Sequence, residues 1–254
     1  MITRTLLARI CDSSQLADAQ KAIAGMLEGL AVETKIQWVL ANRWVQLSFS
    51  GEDEGIASNY IAKELGLSPT SYEDVKRFTT LKGYIVNLEK NREELQVDVG
   101  IFQPKIVCAT VPLRHLQAQL VDGRKIALRK IAELYGFCED LPLNIKVVGI
   151  DEEAKSVEAE LSAEQVGKYV LWQESLLDKL VIIGSSLHDV KRILNRYGLT
   201  RDVINIETVG LFEHILTCKL GTDAAGLIPR IGRCLKTARF AVFNPKRLKE
   251  FLEV

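Results

Sequence analysis

Between Thr79 and Gln165 the chain reads as strand, strand, strand, helical break, strand, strand, and few small folds accept that order. Residues 81–89 and 95–100 form a strand pair turned by the polar run Lys90-Asn91-Arg92-Glu93, and a third apolar run covers 105–111. Two helical patterns follow within 113–138, broken at Asp122-Gly123, before a second hairpin at 143–161. The order therefore predicts a five-stranded barrel with a helical insertion.

The flanks carry a different grammar. Near the N-terminus an apolar run at 6–10 is followed by Asp12-Ser13-Ser14, whose oxygens suit a helix start, and then by Leu16, Ala19, Ile23, Met26 and Leu27 at helical spacing up to Gly29. Strand patterns at 35–40 and 44–49, joined by Ala41-Asn42-Arg43, precede a helix between Gly51 and Gly66. This β-α-β-β-α order is most of a ferredoxin-like unit. Ser68-Pro69-Thr70-Ser71 reads as a linker.

The same grammar returns after Trp172. A strand at 179–183 leads to Ser186-Leu187-His188-Asp189, with capping-box spacing, and a helix to Gly198. Strands at 203–208 and 211–219, a helix through Ile228, Ile231 and Leu235, a strand at 240–243 and a helix at 246–252 complete it. The expected fold is α+β: two ferredoxin-like units, 1–75 and 173–254, flanking a barrel at 76–172.

Charge narrows the function. Lys plus Arg and Asp plus Glu are equal at 33 each, so a nucleic-acid surface has to be a local patch. The N-terminus lacks a long apolar core and no uncharged run reaches spanning length, which predicts a cytoplasmic protein without a membrane partner. Five scattered cysteines without C-x-x-C, and three histidines at no ligand spacing, predict reduced buried thiols and neither metal nor cofactor. Glu213-His214, and His188 after Ser185-Ser186, are the only hints of acid–base or nucleophilic chemistry. Neither has motif spacing, and no catalytic residue is expected.

The Gly-Tyr-Ile-Val strand, Gln-Val-Asp-Val-Gly, and the late Ile-Lys-Val-Val-Gly-Ile-Asp before an acidic turn resemble the S1/OB-like RNA-binding barrels. That resemblance implies exposed strand aromatics for base stacking and cations for phosphate, at Lys82, Tyr84, Phe102 and Lys105. Between Arg114 and Lys130 in the insertion, Arg114, Arg124, Lys125, Arg129 and Lys130 stand against Asp122 alone, a candidate phosphate-binding patch; Arg230 and Arg233 make a second. Lys219, Gly221 and Thr222 are anion-binding candidates before a helix that Asp223 is suited to cap. The stretch Asp202 to Gly232, and the chain as a whole, resembles an archaeal conserved family of unknown function, which implies an archaeal setting and carries no catalytic residues over.

The expected function is non-catalytic RNA binding, mainly through the backbone, with ribosome or transcription-complex proteins as possible neighbours. The alternatives are a protein-interaction adaptor and an RNA-modifying enzyme.

Overall fold

In the computed structural model, which describes residues 1–39 and 43–253, the chain opens with β1 (Ile2–Arg9), α1 (Gln15–Met26), β2 (Val32–Val39), β3 (Trp44–Gly51) and α2 (Glu54–Leu65). Ala19, Ile23 and Leu27 recur every four residues, so α1 presents one apolar stripe. That stripe buries against Leu6, Ala8, Val45, Leu47 and Phe49, with Ala57 and Ile61 of α2 beside it. The sheet order is β1-β3-β2, with β3 antiparallel to both neighbours. Of the expected strand at 35–40, Leu40 lies outside the described residues, as do Ala41 and Asn42 of its turn; the strand starts earlier, at Val32.

The linker contains β4 (Thr70–Ser71), which pairs in parallel with the barrel. The barrel strands are β5 (Thr80–Val86), β6 (Glu94–Gln103), β7 (Val107–Pro112), β8 (Pro142–Asp151) and β9 (Ser156–Leu161). β5 pairs with β6, β6 with β7, β7 with β9, β9 with β8, and β8 with β5, so the ring closes. Leu95, Val97, Val99 and Ile101 alternate along β6, and Leu143, Ile145 and Val147 along β8; all are buried. The third strand begins two residues later than the sequence pattern suggests, at Val107.

The insertion folds as α3 (Leu113–Leu120) and α4 (Leu128–Tyr135), and Asp122 and Gly123 at its break both have positive φ, 53° and 75°. It is a plug more than an arm. Leu116, Leu120, Leu128, Ile131, Leu134 and Tyr135 join the barrel core, leaving the cations on the outside. After β9 comes α5 (Ala163–Ser175), a helix the sequence pattern did not reveal; the Ser162 hydroxyl accepts from Gln165 N at 3.1 Å to start it.

The last part comprises β10 (Lys179–Ile183), α6 (Leu187–Arg196), β11 (Val203–Thr208), β12 (Glu213–Cys218), α7 (Ala224–Ile231), β13 (Arg239–Phe243) and α8 (Pro245–Glu253). The sheet order is β11-β12-β10-β13, every pairing antiparallel. β10 is buried on both faces. Leu180 and Ile182 pack with α6 and α7, whereas Val181 and Ile183, with Ile215 and Phe243, enter the barrel's core through α4 and α5. Phe212 joins the N-terminal core instead. The described residues thus form eight α-helices and a closed five-stranded barrel in one mixed α+β structure.

Candidate nucleic-acid interface

Around Tyr84 and Phe102, where stacking aromatics were expected, the outer face of β5 and β6 is covered by the chain's own N-terminal sheet. Tyr84 is fully buried, its ring edge-on to Trp44 at 5.6 Å and its hydroxyl donating to Leu7 O at 3.0 Å. Phe102 also meets Trp44 edge-on, at 6.1 Å. Tyr84 therefore offers no ring to a base. Burial pushes its hydroxyl's pKa well above 10, as it must for a phenol out of water.

Beneath this contact lies a buried ionic junction. Asp140, fully buried before β8, meets Arg9 Nη1 at 3.1 Å, Arg43 Nη2 at 3.0 Å and Arg239 Nη1 at 2.5 Å. Burial alone would push the carboxyl up, but Arg9, Arg43 and Arg239 outweigh it and hold Asp140 below the usual range. The arginines come from β1, the residue before β3, and β13, so one carboxylate ties three parts of the fold. Asp98, which accepts from Trp44 Nε1 at 3.1 Å, lies 4.0 Å from Arg9.

Two groups here resemble reactive ones and are not arranged as such. Cys11 Sγ points at Asp140 Oδ2 at 3.5 Å, and burial with that carboxylate pushes the thiol up to about 12, so it stays protonated and a poor nucleophile. His214 is buried with Nδ1 against Thr208 Oγ1 at 3.2 Å and Nε2 against Ser185 O at 3.0 Å, and burial lowers its pKa. Its neighbour Glu213 points away from it; burial raises that carboxyl to about 8, and Oε1 has no partner.

The sequence-derived cations separate into groups. Lys82 is largely desolvated, which lowers its pKa, and donates to Val209 O at 2.6 Å. Lys105 donates to Ala154 O at 3.3 Å and Arg114 pairs with Glu158 at 2.7 Å. Arg124 is committed to structure: Nη1 donates to Phe251 O at 2.8 Å and Nη2 to Leu252 O, closing the end of α8. Lys130 bridges to Glu133 at 3.3 Å. Lys125, Arg129, Arg230 and Arg233 are exposed.

Near α7 the geometry favours capping over anion binding. Gly221 has φ 87° and Lys219 is exposed, but Ala224 N donates to Asp178 Oδ2 at 3.1 Å and Ala225 N to Asp223 Oδ1 at 2.9 Å. The first two N–H groups of α7 are thus taken by carboxylates, and Thr222 N donates to Lys219 O at 2.9 Å.

Among the described residues, two of the grooves are large and hold cations. One, about 960 Å³, is lined by Lys82, Asn144, Gln165, Lys168, Trp172 and Glu207 among others, and Lys168 is paired with Glu207 at 2.5 Å. The other, about 970 Å³, lies between the 88–92 turn, α4, β13 and α8, and brings together Arg92, Arg129 and Arg247 with Glu89 and Glu133. Arg247 and Lys130 both bond Glu133 and hold its carboxyl below the usual range. This is where a residue of the insertion patch, Arg129, meets cations from elsewhere. Phe78, exposed at the barrel rim, is an aromatic that strand-pattern reasoning passes over; its signal is the preceding Lys76-Arg77.

Comparison with known proteins gives a family. Models of the DUF2110 N-terminal, central and C-terminal domains match residues 7–71, 75–173 and 177–243, and the chain belongs to the DUF2110 family. No curated protein matches. Among solved structures, the uncharacterized protein MJ1198 from Methanocaldococcus jannaschii is 11% identical, covering 35% of this chain and 95% of its own, at a TM-score of 0.25. The intact alpha subunit of aIF2 from Pyrococcus abyssi is 10% identical, covering 66% of this chain and 96% of its own, at 0.27. Both superpose too loosely to say anything about this chain.

Proposed function

We propose that this DUF2110-family chain is a non-catalytic RNA-binding protein that holds RNA mainly by its phosphate backbone, beside translation or transcription machinery. The observation that carries the reading is the groove shared by Arg92, Arg129 and Arg247, cations from a barrel turn, the helical insertion and the C-terminal helix. Guanidinium groups converging from three elements suit a run of phosphates. Exposed Lys125 next to α4 extends the positive edge. An S1/OB-like barrel and ferredoxin-like flanks belong to the same reading. The strand order β5-β6-β7-β9-β8 and the split β-α-β arrangement of β10, α6 and β11 around β12 support it. An archaeal cytoplasm is the setting that the sequence resemblance implies.

The test is a salt titration of binding to mixed RNA and to duplex DNA, repeated with Arg92, Lys125 and Arg129 changed to Ala. The triple variant is expected to weaken RNA binding and flatten the dependence of log affinity on log salt by roughly 0.7 per lost contact for single strands. No affinity at low salt, or an unchanged slope, overturns the reading.

A second reading, a protein-interaction adaptor, is favoured by one feature. Val170 and Leu171 on α5 are 47% and 66% exposed beside the Trp172 groove. An adaptor would bind a partner protein with affinity indifferent to the arginine substitutions.

A further inference from the structure

Phe78 is placed where neither burial nor backbone preference explains a phenylalanine. It is 65% exposed, in the turn that enters β5, and its φ is 67°, in the left-handed region that glycine and asparagine accept and bulky residues resist. The turn is held on both sides. Phe78 N donates to Val147 O at 2.8 Å, Val147 N to Thr79 O at 3.0 Å, the Thr79 hydroxyl to Lys76 O at 2.6 Å, and Arg77 Nε to Val148 O at 2.7 Å. A strained conformation fixed by its surroundings, presenting an apolar ring to water, is the combination expected of a ligand contact.

The ring's surroundings indicate the ligand's chemistry. The Arg77 guanidinium carbon lies 5.1 Å from the ring centroid and Lys146 Nζ lies 5.9 Å from it, with Lys76 exposed next to them. Of the nearby acids, Glu160 is paired with Lys146 at 3.5 Å. An apolar peptide gains nothing from such a collar of cations, whereas a flat, uncharged ring carrying a phosphate suits both parts. The surface also continues. Thr80 pairs with Lys146 and Lys82 with Asn144 across β5 and β8, so these residues share the barrel's outer face and lead from Phe78 to the groove holding Asn144, Lys168 and Trp172.

We infer that Phe78, with Arg77, Lys76 and Lys146 around it, is a stacking site for an unpaired nucleobase of single-stranded RNA, whose following phosphates run along the outer face of β5 and β8. The inference rests on the reading of the chain as an RNA binder. It assigns base contact to a site separate from the Arg92, Arg129 and Arg247 groove.

The experiment compares a labelled six-nucleotide oligouridylate with an abasic ribose-phosphate oligomer of equal length, by fluorescence anisotropy at low salt, on the whole chain. Phe78→Ala is expected to weaken oligouridylate binding by about 10- to 100-fold, the range of one base–aromatic stack, and to leave the abasic oligomer within about twofold. Phe78→Trp is expected to keep the wild-type preference. Phe78→Asn suits the positive φ and gives a second ring-free variant whose fold is not in question. Oligouridylate binding unchanged in both ring-free variants overturns the stacking site while leaving the groove reading intact. Loss in those variants, with Arg92 and Arg129 changed to Ala and no effect, supports the stacking site and overturns the groove. No binding of either oligomer by the wild type overturns both.

Discussion

Arg43 grips Asp140 with two guanidinium nitrogens, Nη1 to Oδ2 at 3.2 Å and Nη2 to Oδ1 at 3.0 Å, joining the start of β3 to the segment entering β8. Arg9 and Arg239 share the same carboxylate. Removing it leaves Arg9, itself buried, without its closest counter-charge, and breaking a buried pair costs roughly 3–5 kcal/mol. Asp140→Ala is therefore expected to lower the urea midpoint sharply, and a loss below about 1 kcal/mol would mean the junction is not a clamp. The linkage sign follows from the depressed carboxyl. Its stabilisation is present above the unfolded value near 3.9 and disappears as pH falls through the lower folded value.

Glu213 acts in the opposite direction. Burial raises it to about 8 from 4.5, so between those values the folded chain keeps a proton that the unfolded chain releases. Stability is expected to fall as pH rises from about 4.5 to about 8 and to level off above, by a few kcal/mol in total. Glu213→Gln has no proton to lose there and should remove that fall, leaving the rise with pH that the lowered pKa of buried His214 contributes. Chemical denaturation at pH 5, 6.5 and 8 compares the two slopes; equal slopes would mean that Glu213 is ionised in the folded chain.

Barrel and flanking sheets were legible because they are written in local periodicity, such as the alternation of Leu95, Val97, Val99 and Ile101. The sites were not. Tyr84 lies on a strand whose outer face is polar enough to read as solvent-facing, and nothing within that strand says that Trp44 covers it. Asp140 and its arginines are 97 to 131 residues apart in sequence, beyond any spacing rule (140 − 9, 140 − 43, 239 − 140). α5 was not legible as a helix, although Ser162-Ala163-Glu164-Gln165 at its start has the S-x-x-Q spacing of a capping signal. Phe78 hides because a lone aromatic in a turn carries no periodic signature.

Arg124 separates structure from binding within the insertion's cations. Its two bonds to the last carbonyls of α8, and its guanidinium 5.7 Å from the Phe251 ring centroid, fasten the C-terminal helix to the insertion. Arg124→Ala is expected to destabilise the chain by about 1.5–3 kcal/mol, the range for hydrogen bonds to a charged group, and to leave the salt slope of RNA binding unchanged. Thermal unfolding and the salt titration, run on the same variant, check both halves. A flattened slope with unchanged stability would return Arg124 to the binding surface.

Gly83 shows how tightly the barrel closes. It sits on β5 opposite Leu143, and a Cβ built there would lie 2.7 Å from Asp98 O, 2.7 Å from Val97 Cγ1 and 2.8 Å from Val99 Cγ1. Its φ is not positive, so backbone freedom is not the reason for glycine; space is. Two of the three neighbours are interior methyls of a packed core and the third is strand backbone, and none can withdraw without moving β6. Gly83→Ala is therefore expected to cost roughly 1–3 kcal/mol, the usual range for overpacking. Gly123→Ala, at an open position with φ 75°, meets no atom within 4 Å and carries only backbone strain, so it serves as the comparison in the same urea titration. If the Gly83 variant unfolds at the wild-type midpoint, β5 and β6 are not held at the close approach that seals the ring.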